Sequence, residues 1–249
     1  MAELCDIRWL DVTESTQDVL LGSIGAYDNM SVVAARLQTA GRGQRGNRWL
    51  AGKGENLTFS MLLKFGGDGF PALKATGQFA ITRAATVGIA GYLESEGICC
   101  RIKWPNDIYA GDRKICGMLV ENILRDGFLH ASVVGIGLNV NQKVFPGELV
   151  NPVSMAMLTG RGYDTEAELG KVCSHLATAL RRFLNGEGDY ASYESRLYRL
   201  NEFHEYTDCS DWSVFEGRIV GTRESGLLCV EKRNGELKEF AFKEISYII

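Results

Sequence analysis

The sequence predicts an α+β protein in which a mixed sheet packs against helices and a small all-β tail follows. Three observations carry this. Strand-like and helix-like segments come in mixed order with hairpins between them, not in the alternation of a doubly wound sheet. The Ala-rich stretch from Pro71 to Glu96 is apolar enough to lie on a sheet. After about Tyr206 the chain turns to short strands separated by Ser225-Gly226 and Asn234-Gly235, pairs that suit tight turns between antiparallel strands.

In order, Leu4–Val12 reads as a strand, and Thr13 or Ser15 as the N-cap of a short helix through Leu20 and Leu21. Ser31–Gln38 and Asn56–Phe65 read as strands. Between them, Thr39–Gly54 is rich in Gly and Arg and has neither helix nor strand period. Pro71–Glu96 fits one long helix. Cys99–Trp104, Ile108–Ala110, Lys114–Leu124 and Phe128–Val140 read as strands, with turns at Gly111-Asp112 and Asp126-Gly127. Glu166–Leu184 and Tyr190–Leu200 read as helices. Ser213–Gly221, Gly226–Lys232 and Leu237–Phe242 are the strands of the tail. This divides the chain into residues 1–204 and a tail, 205–249, too small to be very stable alone and so expected to dock on the main body.

Composition removes several classes. Of 249 residues, 45% are hydrophobic and 23% charged, which is not the balance of a disordered chain. The 27 basic and 31 acidic side chains leave a net charge of 27 − 31 = −4, against a general nucleic-acid or membrane-surface binder. No apolar run reaches the ~18 residues of a membrane span. The N-terminus resembles neither a signal nor a transit peptide. Seven cysteines without a C-x-x-C pair, and scattered His130, His175 and His204, lack zinc-site spacing, so no metal ligands are assigned. Reduced cysteines in a cytoplasmic protein are expected.

Gly41-Arg42-Gly43-Gln44-Arg45-Gly46 satisfies G-x-G-x-x-G, but no helix follows, as a dinucleotide fold requires. The P-loop pattern fails as well, since no Ser or Thr follows Lys53. What remains is chemical. Arg42, Arg45 and Arg48 lie within seven positions on a glycine-rich chain. Guanidinium groups bind phosphate bidentately, and glycines let backbone N–H groups approach an anion. Trp49 can cover an adenine or an apolar ligand. The plainer alternative is a solvated loop anchored by a buried Trp.

Lys103-Trp104-Pro105-Asn106-Asp107 is a second compact group. Asn106 and Asp107 suit a metal-nucleotide or an incoming amine. Lys114 opens an apolar strand, and strict alternation puts it on one face with Cys116, Met118 and Val120. It is either a solvated lysine or a point charge polarising a carboxylate as it becomes an acyl phosphate. Gly135 and Gly137 in an apolar strand suggest close approach of a ligand or backbone. Asn139 reads either as a ligand to ribose or phosphate or as a turn cap.

These motifs, with Ser15-Thr16-Gln17 after the first strand, Gln38-Thr39-Ala40 before the glycine loop, Arg113-Lys114-Ile115-Cys116-Gly117 with Glu121, and Gly135-Ile136-Gly137-Leu138-Asn139, resemble the biotin protein ligase family in order and spacing. The resemblance covers about residues 4–145, and the tail is similar to the family's SH3-like domain. It implies a class II synthetase-like catalytic domain over 1–204 and an SH3-like domain over 205–249. It implies that biotin and Mg-ATP form biotinyl-5′-AMP, and that a lysine of a biotin carboxyl carrier protein then takes the biotin. By residue, it implies biotin contacts from Ser15, Thr16, Gln17 and Gln38, and a lining of Arg42, Gly43 and Gln44. Arg45, Trp49, Asn106 and Asn139 would surround the nucleotide. Lys114, Arg42 and Asp107 would serve the chemistry, Lys114 at the reacting carboxyl and Asp107 orienting or deprotonating the acceptor amine.

Two departures stand out. Gln44 replaces a loop arginine carried by many members, one charge fewer to retain the intermediate. The first strand also starts near residue 4, so the helix-turn-helix domain of bifunctional members is not expected, nor is DNA binding. The rivals are a lipoate or octanoate ligase or transferase, a binding-only sensor, and a DNA-binding repressor. Monomer and homodimer stay open.

Overall fold

The computed structural model describes residues 5–43 and 46–249. Two sheets organise it. In the first, β1 (Ile7–Thr13) and β2 (Val32–Gln38) run parallel, with α1 (Thr16–Leu21) between them in sequence. β3 (Leu57–Lys64), β4 (Arg101–Lys103), β5 (Asp107–Ala110), β6 (Arg113–Arg125) and β7 (Phe128–Leu138) complete seven strands in the order β1-β2-β3-β7-β6-β5-β4. Every pairing beyond β2 is antiparallel. The β6–β7 hairpin turns at Asp126-Gly127, both at positive φ (52° and 79°), a twist that matches the flanking strands.

The two faces of this sheet differ. α2 (Phe79–Ser95) and α4 (Thr165–Leu184) cover one. There Val32, Ala34, Phe59, Met61 and Ile136 join Ile81, Ala85, Ile89, Leu169 and Leu176 in the main core. Alternate strand residues Val33, Leu62 and Val133 point the other way and meet Leu20 of α1, as the period of two requires. With only six residues, α1 covers one end of that face. The remainder is the floor of a cavity.

The chain continues through α3 (Met155–Thr159) and α5 (Tyr190–Glu194) into the second sheet. Its strands are β8 (Phe203–Asp208), β9 (Ser213–Thr222), β10 (Leu228–Lys232), β11 (Leu237–Phe240) and β12 (Ile245–Tyr247), in the order β11-β10-β9-β8-β12. All neighbours are antiparallel, consistent with an SH3-like fold. Its core is shared with the body: Tyr206, Ile219, Val230 and Phe240 pack with Ile102, Trp104, Tyr193 and Leu197.

Several elements differ from expectation. The helix predicted over Pro71–Glu96 starts at Phe79. Before it, backbone bonds Ala75 N–H to Gly127 O and Leu129 N–H to Leu73 O tie the segment to the β6–β7 hairpin, so tertiary pairing overrides helix propensity. The helix predicted over Tyr190–Leu200 ends at Glu194. Ile102 N–H donates to Arg196 O, and Tyr198 N–H to Ile102 O, which satisfies the outer edge of β4. Sequence reading also missed β8, β12 and α3. All seven cysteines are free. Among the described residues no helix is long and apolar enough to cross a membrane, and no cluster of His, Cys, Asp and Glu could hold a metal ion.

Candidate active site

One cross-strand row forms the cavity floor. Thr58, Gly137, Gly117, Asp107 and Lys103 are successive register partners across β3, β7, β6, β5 and β4. Residues paired in register share a face. The two glycines therefore leave the middle of the row free of side chains, and the charged pair stands at one end. Trp49 lies on the bare stretch: a Cβ at Gly137 would fall 2.1 Å from its Cε2. A cavity of about 700 Å³ opens above the row.

At the β3–β7 end the walls are neutral hydrogen-bonding groups. Thr16 N–H donates to Gln38 Oε1 at 2.7 Å, and the Thr16 and Ser60 hydroxyls are 2.8 Å apart. Ser60 Oγ donates to Gln17 Oε1 at 3.1 Å, and Gln17 Nε2 donates to Val133 O at 2.9 Å. Ser15, Thr16, Gln17 and Ser60 are all at most 3% exposed. Ser15 occupies the N-cap of α1 but makes no side-chain capping bond, so its hydroxyl is available to the cavity it lines. The structure thus brings Ser15, Thr16, Gln17 and Gln38 together. It adds Ser60, a hydroxyl in the mostly apolar β3 that the sequence does not mark out.

Toward β5 and β4 the walls become charged. Lys114 Nζ is 2.8 Å from Asp107 Oδ2 and 6.0 Å from the Trp49 ring centroid. Strict alternation misplaced Lys114. The register shifts between Ile108 and Tyr109, so that Ile108 pairs with Cys116 but Tyr109 with Lys114. The extra residue, Ile115, makes a bulge, and a bulge re-aims the side chains beyond it. Lys114 consequently shares a side with Gly117, whose Cβ would lie 3.1 Å from Nζ, while Cys116 and Met118 join the main core.

Other predicted residues take varied positions. Arg42 reaches Asp18 at 2.6 Å and Glu121 at 2.7 Å from the cavity rim. Gly43 N–H donates to Asn47 O and Trp49 N–H to Gly41 O, so the two arms of the glycine loop pair with each other. Gln44 and Arg45 lie outside the described residues. Asn106 lines the cavity and donates to Met118 O. Asn139 is not brought to the cavity. Its amide donates to Val153 O at 3.1 Å and Lys114 O at 3.5 Å, so it fastens the start of β6 from behind. Sequence reading missed the wall supplied by the second sheet, where Cys209, Trp212, Phe242 and Tyr247 border the same space.

A floor bare at its middle, with neutral hydrogen-bonding groups at one end and a lysine–carboxylate pair at the other, suits acyl activation and transfer, and the comparisons with known proteins place the chain among enzymes of that class. The family model for the Biotin/lipoate A/B protein ligase family matches residues 9–139. The chain is 33% identical to the Bifunctional ligase/repressor BirA of Escherichia coli over 244 residues, 95% of this chain and 72% of that one. It is 30% identical to the Biotin--[acetyl-CoA-carboxylase] ligase of Paracoccus denitrificans over 165 residues, 62% of this chain and 64% of that one. Among solved structures, Biotin protein ligase from Aquifex aeolicus in complex with biotin and ATP superposes with a TM-score of 0.77 at 27% identity, covering 97% of both chains. The chain belongs to the Biotin/lipoate A/B protein ligase family.

Proposed function

We propose that this protein activates biotin with ATP to biotinyl-5′-AMP and transfers the biotin to a lysine of a biotin carboxyl carrier protein. The carrying observation is the graded floor: a buried amide and hydroxyl network at one end, a bare glycine stretch, then Lys114 with Asp107. Biotin's ureido group needs hydrogen-bond partners once buried. Ser15, Thr16, Gln17, Gln38 and Ser60 supply them, while Gly117 and Gly137 let the Trp49 indole lie against the sheet as an apolar wall beside the bicycle. The similarity to ligases named for biotin agrees with that chemistry.

In the first half-reaction a biotin carboxylate oxygen attacks the α-phosphorus and pyrophosphate leaves. Lys114 stands where charge shifts between carboxyl and phosphate, and fixed cations there lower the barrier. Arg42 and Gly43 border the acyl phosphate, and the family resemblance assigns Gln44 to the biotin and Arg45 to the nucleotide. Trp49 and Asn106 flank the nucleotide, and Asn139 acts indirectly by fixing the strand that carries Lys114. In the second half-reaction the acceptor amine attacks the acyl carbon and AMP leaves. A free lysine is protonated at neutral pH, and Asp107 is the carboxylate placed to orient it or take its proton.

Mg²⁺ fits as the counter-ion of ATP. The described residues offer no carboxylate cluster for it, and Mg²⁺ commonly binds through substrate phosphates and waters. Residues 1–204 serve as the catalytic domain and 205–249 as an SH3-like domain that completes its wall. The setting is cytoplasmic, in keeping with seven free thiols. The reading involves neither DNA nor membrane, and monomer and homodimer satisfy it equally.

The test is exchange of labelled pyrophosphate into ATP, with biotin and lipoate compared, followed by biotin transfer to a carrier domain. Exchange with biotin and labelling of the carrier lysine are expected. Exchange with lipoate alone, or with neither acid in folded protein, overturns the reading.

A further inference from the structure

Lys103 belongs to none of the roles assigned above, yet it borders the same cavity. Its neighbours differ from those of Arg42 and Lys114, the two cations given catalytic roles. Arg42 meets two carboxylates and Lys114 meets Asp107. Among the described residues, no carboxylate lies at ion-pair distance from the Lys103 ammonium. Nζ instead lies 3.2 Å from the Tyr109 hydroxyl and 4.9 Å from the ring centroids of both Tyr109 and Tyr247. Aromatic faces attract an ammonium and exclude water from it. Burial is the largest influence on this group and pushes its pKa down; Lys114 and Arg199 push the same way and only Asp107 opposes them. A partly desolvated cation without a counter-ion is costly, and an anion arriving in the cavity would relieve that cost.

The floor says which anion. Along the row Thr58–Gly137–Gly117–Asp107–Lys103 each step is one strand spacing, ~4.8 Å, so Lys103 stands roughly 19 Å from the neutral end. Acyl-phosphate chemistry is read at Lys114 and Asp107, one strand short of that. What lies beyond the reacting α-phosphate is the remainder of the triphosphate. We propose that Lys103 binds the β,γ-phosphates of ATP, the pyrophosphate leaving group, and that Tyr247 of β12 holds it in place for that contact. This rests on the ligase reading and extends it: the second sheet takes part in the reaction through one aromatic ring on one lysine. Lys103 is a binding residue for the leaving group, and Tyr247 is a positioning residue acting through it.

The experiment uses the full chain with Lys103→Met, Lys103→Arg and Tyr247→Leu, after thermal unfolding has confirmed folded protein. In biotin-dependent pyrophosphate exchange, Lys103→Met should raise KM for ATP roughly tenfold, the loss expected for one charge-assisted bond. KM for biotin should stay within about twofold, Lys103→Arg should restore most of the ATP KM, and Tyr247→Leu should show a smaller rise of the same kind. Calorimetric binding of ATP and AMP gives a second readout: Lys103→Met should weaken ATP and leave AMP unchanged. Equal rises in both KM values, no change in either, failure of arginine to rescue, or equal weakening of AMP and ATP would each overturn the proposal. A parent protein that binds ATP but shows no exchange sinks the ligase reading, and the ATP-against-AMP comparison still decides the role of Lys103. Failure of the parent to bind ATP sinks both.

Discussion

Gly135 and Gly137 sit two residues apart on β7, and each makes room for a different side chain. A Cβ at Gly137 would meet the Trp49 indole at 2.1 Å; one at Gly135 would meet Gln17 Oε1 at 2.4 Å. Gly137→Ala is therefore expected to expel Trp49 from the floor, seen as a change in tryptophan emission together with loss of nucleotide affinity. Gly135→Ala should instead break the Gln17–Ser60 link and raise KM for biotin, with smaller effect on ATP. A variant pair that shifts both constants alike would count against a floor divided by substrate. Asp107→Asn tests the next position in the row. It removes the charge that holds Lys114 at 2.8 Å, and a misplaced catalytic group can cost on the order of 10²-fold in rate. Both half-reactions should slow, transfer to the carrier more than exchange; normal transfer would remove Asp107 from the chemistry. The residue types of this site were legible in the sequence because each is chemically unusual where it stands: glycines in an apolar strand, a lysine at its start, small polar groups after a strand. Ser60 was not legible, because one hydroxyl in a run of apolar residues carries no spacing signal. Asn139 was legible as a residue with a task, but the sequence left ligand contact and backbone fastening equally open.

Elements were read well where local chemistry decided them. The Asp126-Gly127 hairpin came from its turn residues, and α4 was read over nearly its whole length; in the structure Asp164 caps it with bonds from Glu166 and Ala167 N–H. Local reading failed where a distant partner decided. The segment before α2 is held by the β6–β7 hairpin, and the chain after Glu194 is held by β4. The β6 bulge belongs to the same group, since its register depends on β5. β8 and β12 escaped notice for a related reason: short strands with no strong alternation are specified mainly by their neighbours. A part-buried ion pair ties two strands of that second sheet. The Asp208 carboxylate on β8, nearly buried, is held by Lys238 of β11 and by Ser210, and its pKa falls to about 2. A carboxyl whose folded pKa lies below its unfolded value stabilises above the unfolded value and loses that contribution as pH falls through the folded one. Asp208→Asn should therefore lower the unfolding temperature at pH 7, and the gap from the parent should close between about pH 4 and pH 2. A gap that persists at pH 2 would mean the cost is steric, not electrostatic.

At the scale of the whole molecule, the two sheets are separate in topology but not in packing. Trp104, just after β4 of the first sheet, donates from Nε1 to Gly226 O at 2.9 Å, and its ring meets Phe242 edge-on. Arg83, 3% exposed on α2, donates to Thr222 Oγ1 and Arg223 O. Glu194 of α5 accepts from Thr222 N–H. Behind these bonds lies the joint core of Ile102, Trp104, Tyr193 and Leu197 with Tyr206, Ile219, Val230 and Phe240. Neither part can unfold without exposing apolar surface of the other, which costs roughly 25 cal/mol per Å². A tail of this size would have little stability of its own, and the shared core supplies what it lacks. The expectation is a single cooperative calorimetric transition for the chain, with equal calorimetric and van't Hoff enthalpies. Arg83→Met should lower its midpoint, since each buried carbonyl left unpaired costs ~1–3 kcal/mol, yet it should stay single. It should also raise KM for ATP more than KM for biotin, because β12 and Tyr247 belong to the sheet that Arg83 holds while the neutral end of the floor does not. Two separable transitions in the parent protein would show that the second sheet is an independent unit, and its link to the nucleotide end of the cavity would then have to run through contacts other than this core.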